Sequence, residues 1–318
     1  MKRSRIVFVL MILVVITFFL TGCERRERPW PSRAVTVVIP FAAGGDTDFN
    51  ARAYVMRLGP ILGQSIVAQN ITGGGGTVGS THVLNAAPDG YTVLFMHTTM
   101  SVNRAAGMSE TTIDDFELVA IAAMGDFAVF VNTNSPFYTL DDLISATIAE
   151  PDTLLYSVLT GAVSHVTGIL LNQAGAQFRI VDGGDTAMRN TSLMGGHVHA
   201  IPSAFGAVVP FIESGDFRPL AVVNNRRNSV FSDVPTTVEL GFPNAILPMY
   251  YFFAFPRGTP RDIVERFADA VEQVYRMEDY RISISQAFHQ EPFFVRGQEA
   301  LNLFRTQQEQ ILLLAPYF

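Results

Sequence analysis

Two glycine-rich loops constrain this chain more than any other feature, because each is entered from a β-branched run and followed by a helix-compatible stretch. The first is Pro40-Phe41-Ala42-Ala43-Gly44-Gly45-Asp46-Thr47-Asp48, after residues 35–39. The second is Gly73-Gly74-Gly75-Gly76-Thr77-Val78-Gly79, after residues 65–68. A strand that empties through glycines into a helix start is a building unit of layered α/β folds. It also presents bare backbone N–H groups beside the positive end of a helix dipole, which favours an anion there.

The first 22 residues read as a leader. Lys2, Arg3 and Arg5 form a basic n-region, and residues 6–20 form an apolar stretch too short for a comfortable membrane span. Leu20-Thr21-Gly22-Cys23 then matches a lipobox, at which bacteria attach lipid to the cysteine and cleave before it. Cys23 is the single cysteine, so no intramolecular disulfide forms and the fold rests on its core. Removing 22 of 318 residues leaves 296, enough for one large domain or two medium ones. The formal charge of −7 becomes −10 once Lys2, Arg3 and Arg5 leave with the leader, which argues against nucleic-acid binding. Lys2 is the only lysine, so a ligand anion must be held by arginine, hydroxyls or backbone dipoles against the net field.

Residues 23–32 are charged and proline-bearing, a short tether. Beyond them the pattern alternates. Strands are expected at 35–39, 65–68, 91–96, 118–124, 128–132, 154–158, 178–181, 197–201, 219–223 and 250–255. Helices are expected at 49–62, 77–87, 140–148, 164–174, 186–194, 260–277 and 298–314, with a turn and short helix at 233–240. Thr139 is the expected N-cap of the third helix, with Asp141 and Asp142 in its first turn. This alternation predicts parallel sheets covered on both faces. Residues 128–132 and 219–225 are the expected crossings between two lobes, one of 33–130 with 226–318 and the other of 131–225. A ligand then sits in the cleft between them, outside the carboxyl ends of the strands.

The second loop holds a G-x-G-x-x-G at Gly74, Gly76 and Gly79. It does not read as a dinucleotide fingerprint. No acidic residue closes a strand about twenty residues on, and Asp89 falls too early, inside the Pro88-Asp89-Gly90 turn. In the first loop Asp48 is the expected N-cap, leaving the backbone at 44–47 and the Thr47 hydroxyl for a ligand. His197-Val198-His199 places two imidazoles on one face of an expected strand, but nothing nearby supplies a clear third metal ligand. The aromatic run at 250–253 is expected in the core, and Arg226-Arg227 in a solvated turn.

A longer pattern runs through the chain. Trp30-Pro31-Ser32-Arg33 leads into Val-Ile-Pro-Phe-Ala-Ala-Gly-Gly-Asp-Thr-Asp at 38–48. Then come 73–79, Ala87-Pro88-Asp89-Gly90-Tyr91-Thr92, 161–165, Asp182-Gly183-Gly184, Asp233-Val234-Pro235-Thr236 and Pro256-Arg257-Gly258-Thr259-Pro260. In this order and over essentially all of the chain past the leader, it resembles the Bug family, the extracytoplasmic solute receptors of tripartite tricarboxylate transporters. The resemblance implies a two-lobed α/β fold of the periplasmic-binding-protein type (type II). It implies a small carboxylate ligand, no catalysis and no cofactor, and a monomer that hands its ligand to membrane permease subunits; the lipobox adds a lipid anchor at Cys23. Carried over, Phe41, Gly45, Thr47, Thr77 and Val78 grip one ligand carboxylate, and His97, Thr98 and Thr99 complete the first-lobe wall. Ser164, His165 and the loop from Asp182 to Asp185 close from the second lobe.

Two positions depart from that pattern. Asp46 stands where a small neutral residue is usual, so either it faces solvent, which is the expectation, or it contacts a ligand that carries a cation such as an amine. Val181-Asp182 stands where an aromatic is usual, which implies a more polar distal pocket. Other functions fit less well. An exported hydrolase needs a nucleophile with its base, yet Ser164 and His165 are sequence neighbours, which seldom pair, and no G-x-S-x-G elbow occurs. A sensory receptor reporting to a membrane kinase would use the same fold and cleft, and the residues do not separate it from a transport receptor.

Overall fold

A computed structural model describes residues 29–290 and 292–318. The leader, Cys23 and residues 24–28 of the tether lie outside the described residues. The first half of the chain runs β1 (Val35–Ile39), α1 (Asp46–Leu62), β2 (Ile66–Asn70), α2 (Thr77–Leu84), β3 (Thr92–His97), α3 (Thr99–Ala105), β4 (Phe116–Gly125), β5 (Phe127–Asn132) and α4 (Leu140–Ala149). It continues through β6 (Leu155–Val158), α5 (Val163–Gln173), β7 (Arg179–Asp182), α6 (Thr186–Met194), β8 (Ile201–Ala204), α7 (Val209–Glu213) and β9 (Phe217–Val222). Last come β10 (Met249–Pro256), α8 (Arg261–Arg276), α9 (Glu278–Ala287), β11 (Val295–Arg296) and α10 (Gly297–Leu312).

Strand pairing divides these elements into two lobes. The first is built on a six-stranded sheet in the order β11-β4-β10-β3-β1-β2. The second carries a three-stranded sheet, β8-β5-β9, and a β6-β7 pair joined to it by the Tyr156–Ala200 bridge. The expectation of parallel sheets is corrected. β1 is parallel to β2 and β3, but β10 is antiparallel to both β3 and β4, and β5 is antiparallel to β8 and β9. β10 enters the sheet after the long return from the second lobe, not through a β-α-β crossover, so nothing fixes it parallel. Strand β5, expected as a crossing, pairs along its length inside the second sheet. The chain passes between lobes at residues 125–126 and again through 223–248. Asn224 on the return donates to the Asp126 Oδ1 at 2.7 Å, tying the two passages together.

The period-two pattern of β10 shows how the first core is organised. Tyr251, Phe253 and Phe255 share a cluster with Tyr54 and Leu58 of α1 and Phe267 and Val271 of α8. Tyr250, Phe252 and Ala254 share another with Val83 of α2 and Phe304 of α10. All eight residues of β10 are buried, and each large side chain so covered contributes about 1.5–3 kcal/mol.

Other expectations shift for local reasons. Residues 197–199 are not a strand. Gly196 takes φ +69°, the chain turns back so that His197 N–H reaches Ser192 O at 2.9 Å, and β8 begins only at Ile201. The two imidazoles therefore do not share a strand face, and among the described residues no three metal-ligating groups converge. Residues 233–240 form turns without a helix. Thr139 does cap α4, in a reciprocal capping box with Asp142.

Candidate functional site

A cleft of about 300 Å³ lies between the lobes, lined by residues 41–47, His97 and Thr99 from the first and by 162–164, 185–187, Arg189 and Asn190 from the second. The lobes meet at its edge, where the Val163 N–H donates to the Thr99 Oγ1 at 3.3 Å.

The first loop forms one wall because α1 starts inside it. The N-cap is Gly45, at φ −80° and ψ 173°, and no side chain caps the helix. The first-turn N–H groups have no intrahelical acceptor, and Asp46 and Thr47 of that turn line the cleft. Asp48 is not the N-cap expected. It lies two residues into α1, and its carboxylate turns back to accept from Gly44 N–H at 3.0 Å, Arg52 Nε at 2.9 Å and Asn70 Nδ2 at 2.9 Å. Burial alone would raise the Asp48 pKa, but these bonds together hold it below the ordinary carboxylate value. Its role is to fix the loop.

His97 is the floor under that loop. Its ring stacks on Phe41 with centroids 4.6 Å apart, and its Nδ1 accepts from the Thr99 N–H at 3.2 Å. Burial pushes its pKa down to about 4, with the Asp46 charge opposing, so the imidazole is neutral at pH 7. Asp46 does not turn to open solvent. It is half-buried, lines the cleft, and its Oδ2 accepts from the Tyr251 hydroxyl at 2.5 Å.

The cleft thus brings together Phe41, Gly45, Asp46, Thr47, His97, Ser164 and Asp185, but not Thr77, Val78, Thr98, His165 or Asp182. In the second glycine loop Gly73 and Gly74 are exposed and Gly76 is buried. Gly76, at φ +97°, lies flat under the Phe41 ring, where a Cβ would come within 3.0 Å of it. Asn103 Nδ2 donates to Gly75 O at 3.1 Å. Thr77 and Val78 do not line the cleft, and Val78 is half exposed. Thr98 is fully buried, donating to Gln307 Oε1 and accepting from Tyr250 N–H. The His165 ring packs edge-on against Phe318, and Asp182 Oδ1 accepts from Gly184 N–H within its own turn. Ser164 reaches the wall, but its Oγ accepts from Leu159 N–H at 3.0 Å. Asp185 caps α6 through Met188 N–H at 3.0 Å.

The model of the tripartite tricarboxylate transporter family receptor matches residues 51–312. The chain belongs to this receptor family. A Cupriavidus necator protein from the gbd 5′ region is 30% identical over 281 residues, 87% of this chain and 84% of its own length. Protein BugT of Bordetella pertussis is 30% identical over 243 residues, 74% of each chain. Among solved structures, MatC of Rhodopseudomonas palustris with bound malate is 28% identical. It covers 90% of this chain and 99% of its own, with a TM-score of 0.79. A second R. palustris protein, solved with adipate, is 28% identical, covers 90% and 98%, and has a TM-score of 0.83. The two-lobed fold and the role of solute-binding receptor for a tripartite transporter follow.

The residue of this receptor that sequence reasoning missed is Arg189. It is 4% exposed on the first turns of α6 and donates from Nη1 to Pro202 O at 2.7 Å and from Nη2 to Thr186 Oγ1 at 3.0 Å. Among the described residues its Nε has no hydrogen-bond partner. Burial lowers its pKa to about 10, with Asp46 the strongest opposing charge, so it remains a cation. The available signal was its spacing, four residues past Asp185 and therefore on the same helix face.

Proposed function

We propose that this receptor works outside the cytoplasm, tethered by lipid on Cys23. In this account it captures a small carboxylate in the interlobe cleft and carries it to membrane permease subunits as a monomer, without catalysis. The observation that carries this is the facing of two anion-seeking groups across one cavity, the uncapped start of α1 from the first lobe and the buried Arg189 guanidinium from the second. The structural relatives solved with malate and adipate support a carboxylate. We assign contact with it to Phe41, Gly45, Asp46, Thr47, His97, Ser164, Asp185 and Arg189. A ligand that touches both walls favours the closed arrangement, because only differential contact shifts the equilibrium. The leader and lipobox at residues 1–23 support the location and the anchor.

Thermal unfolding against a panel of mono-, di- and tricarboxylates and amino acids tests this. A ligand at a hundredfold excess over its Kd adds about 2.7 kcal/mol of stability. At least one carboxylate should raise Tm in a concentration-dependent way, and the absence of any shift across the panel contradicts the proposal.

A further inference from the structure

The cleft's charges are arranged in opposition. Asp46 stands on the first-lobe wall and Arg189 on the second, both lining the same cavity; among the described residues neither makes a salt bridge, and each lies in the other's field. The Arg189 Nε is a buried donor without an acceptor. Beside it, Asn190 lines the same wall at 5% exposure, and its Oδ1 is a buried acceptor without a donor. A buried donor, a buried acceptor and a carboxylate around one cavity suit a ligand with both an anionic acceptor and a cationic donor.

We propose that the ligand is a zwitterion, an amino carboxylate whose carboxylate seats on Arg189 and the α1 start and whose protonated nitrogen lies against Asp46. This rests on the carboxylate function proposed above and narrows it. A second carboxylate on the ligand would meet Asp46 within the same enclosed space, with Asp185 adding negative charge at the rim and His97 neutral and unable to compensate. A zwitterion adds no net charge and answers Asp46 and Arg189 at once. The buried Tyr251 hydroxyl donates to Asp46, so the carboxylate is fixed in the half-buried cleft wall and is not a freely moving surface charge.

Isothermal titration of the mature receptor at pH 7 with matched pairs tests this. The pairs are β-alanine with succinate, 4-aminobutanoate with glutarate, and 5-aminopentanoate with adipate, which share their methylene spacers. Aspartate with succinate and glutamate with glutarate complete the set. At the best-fitting length the amino compound should bind at least about tenfold tighter than its dicarboxylate. Asp46→Asn keeps an acceptor for Tyr251 and removes only the charge, so it should erase or reverse that preference while the carboxylate still binds. A dicarboxylate that equals or beats its amino partner, or a preference unchanged in Asp46→Asn, overturns the zwitterion while leaving the carboxylate function standing. If no member of the set binds at all, the zwitterion falls, and the carboxylate function falls with it only if the wider panel also fails to raise Tm.

Discussion

Gly44 and Gly79 belong to the two glycine-rich segments, Gly44 in the loop between β1 and α1 and Gly79 in the first turn of α2. A Cβ built on Gly44 meets nothing within 4 Å, and what calls for glycine there is a left-handed φ of +83°. A Cβ built on Gly79 comes within 2.6 Å of Ile71 O and 2.8 Å of Pro40 Cβ, so what calls for glycine there is occupied space. The first loop is glycine-rich so that the backbone can turn and stand open to the cleft. In the second segment Gly73 to Gly76 all take positive φ, from +55° to +128°, so that loop needs glycine to turn as well, while Gly79 beyond it lets α2 press against the chain leaving β1. Composition alone made the loops look like two copies of one anion grip; what each backbone faces separates them.

Gly79→Val should therefore have the largest effect on folding. It forces a branched side chain into backbone atoms that have nowhere to move, a loss on the order of 4 kcal/mol readable as a lowered urea midpoint. A loss below about 1 kcal/mol would mean the second loop is not packed as described.

His97 comes next, because it is the surface on which the Phe41 ring rests. Burial keeps it neutral down to about pH 4, whereas an unfolded histidine takes up its proton near 6.5. Between those values the unfolded state binds more protons, so stability falls as pH falls through that window, by about 3 kcal/mol in all. Urea unfolding at pH 7, 5.5 and 4 should show the decline, and His97→Gln should flatten it. An equal slope in the variant would place the titrating group elsewhere.

Gly44→Ala should show the smallest effect, about 1 kcal/mol from backbone strain alone, since its side-chain space is empty. A loss as large as that of Gly79→Val would erase the distinction between the loops.

Much of the fold was legible because it follows local rules. β1 and α6 fall where the residues place them, and Thr139 with Asp142 caps α4 as the motif requires. The misses have physical causes. α9 was invisible because it restarts after one extended residue, Met277, directly beyond α8, and packs mainly through Tyr280 and Ile284. The strand expected at 197–201 failed because Gly196 keeps the chain turning. The site was less legible than the fold. Arg189 is one cation in a polar helix, and only burial against Pro202 and Tyr156 shows that it faces inward. The Tyr251–Asp46 bond spans 205 positions, which no local pattern encodes.

On the function proposed here, the first loop grips the ligand and the second only supports it. Paired titration of Gly45→Val and Val78→Ala tests this most directly, using the tightest carboxylate-bearing compound found for the unmodified receptor. Gly45 lines the cleft at an ordinary φ of −80°, with Ala42 O at 3.6 Å as the nearest atom to an added Cβ, so valine there fills ligand space without breaking the fold. Val78 is half exposed outside the cleft. Gly45→Val should lose at least about tenfold in affinity with little change in Tm, and Val78→Ala should stay within about twofold of the unmodified receptor. Retained affinity in Gly45→Val, or an equal loss in Val78→Ala, would contradict this division of roles.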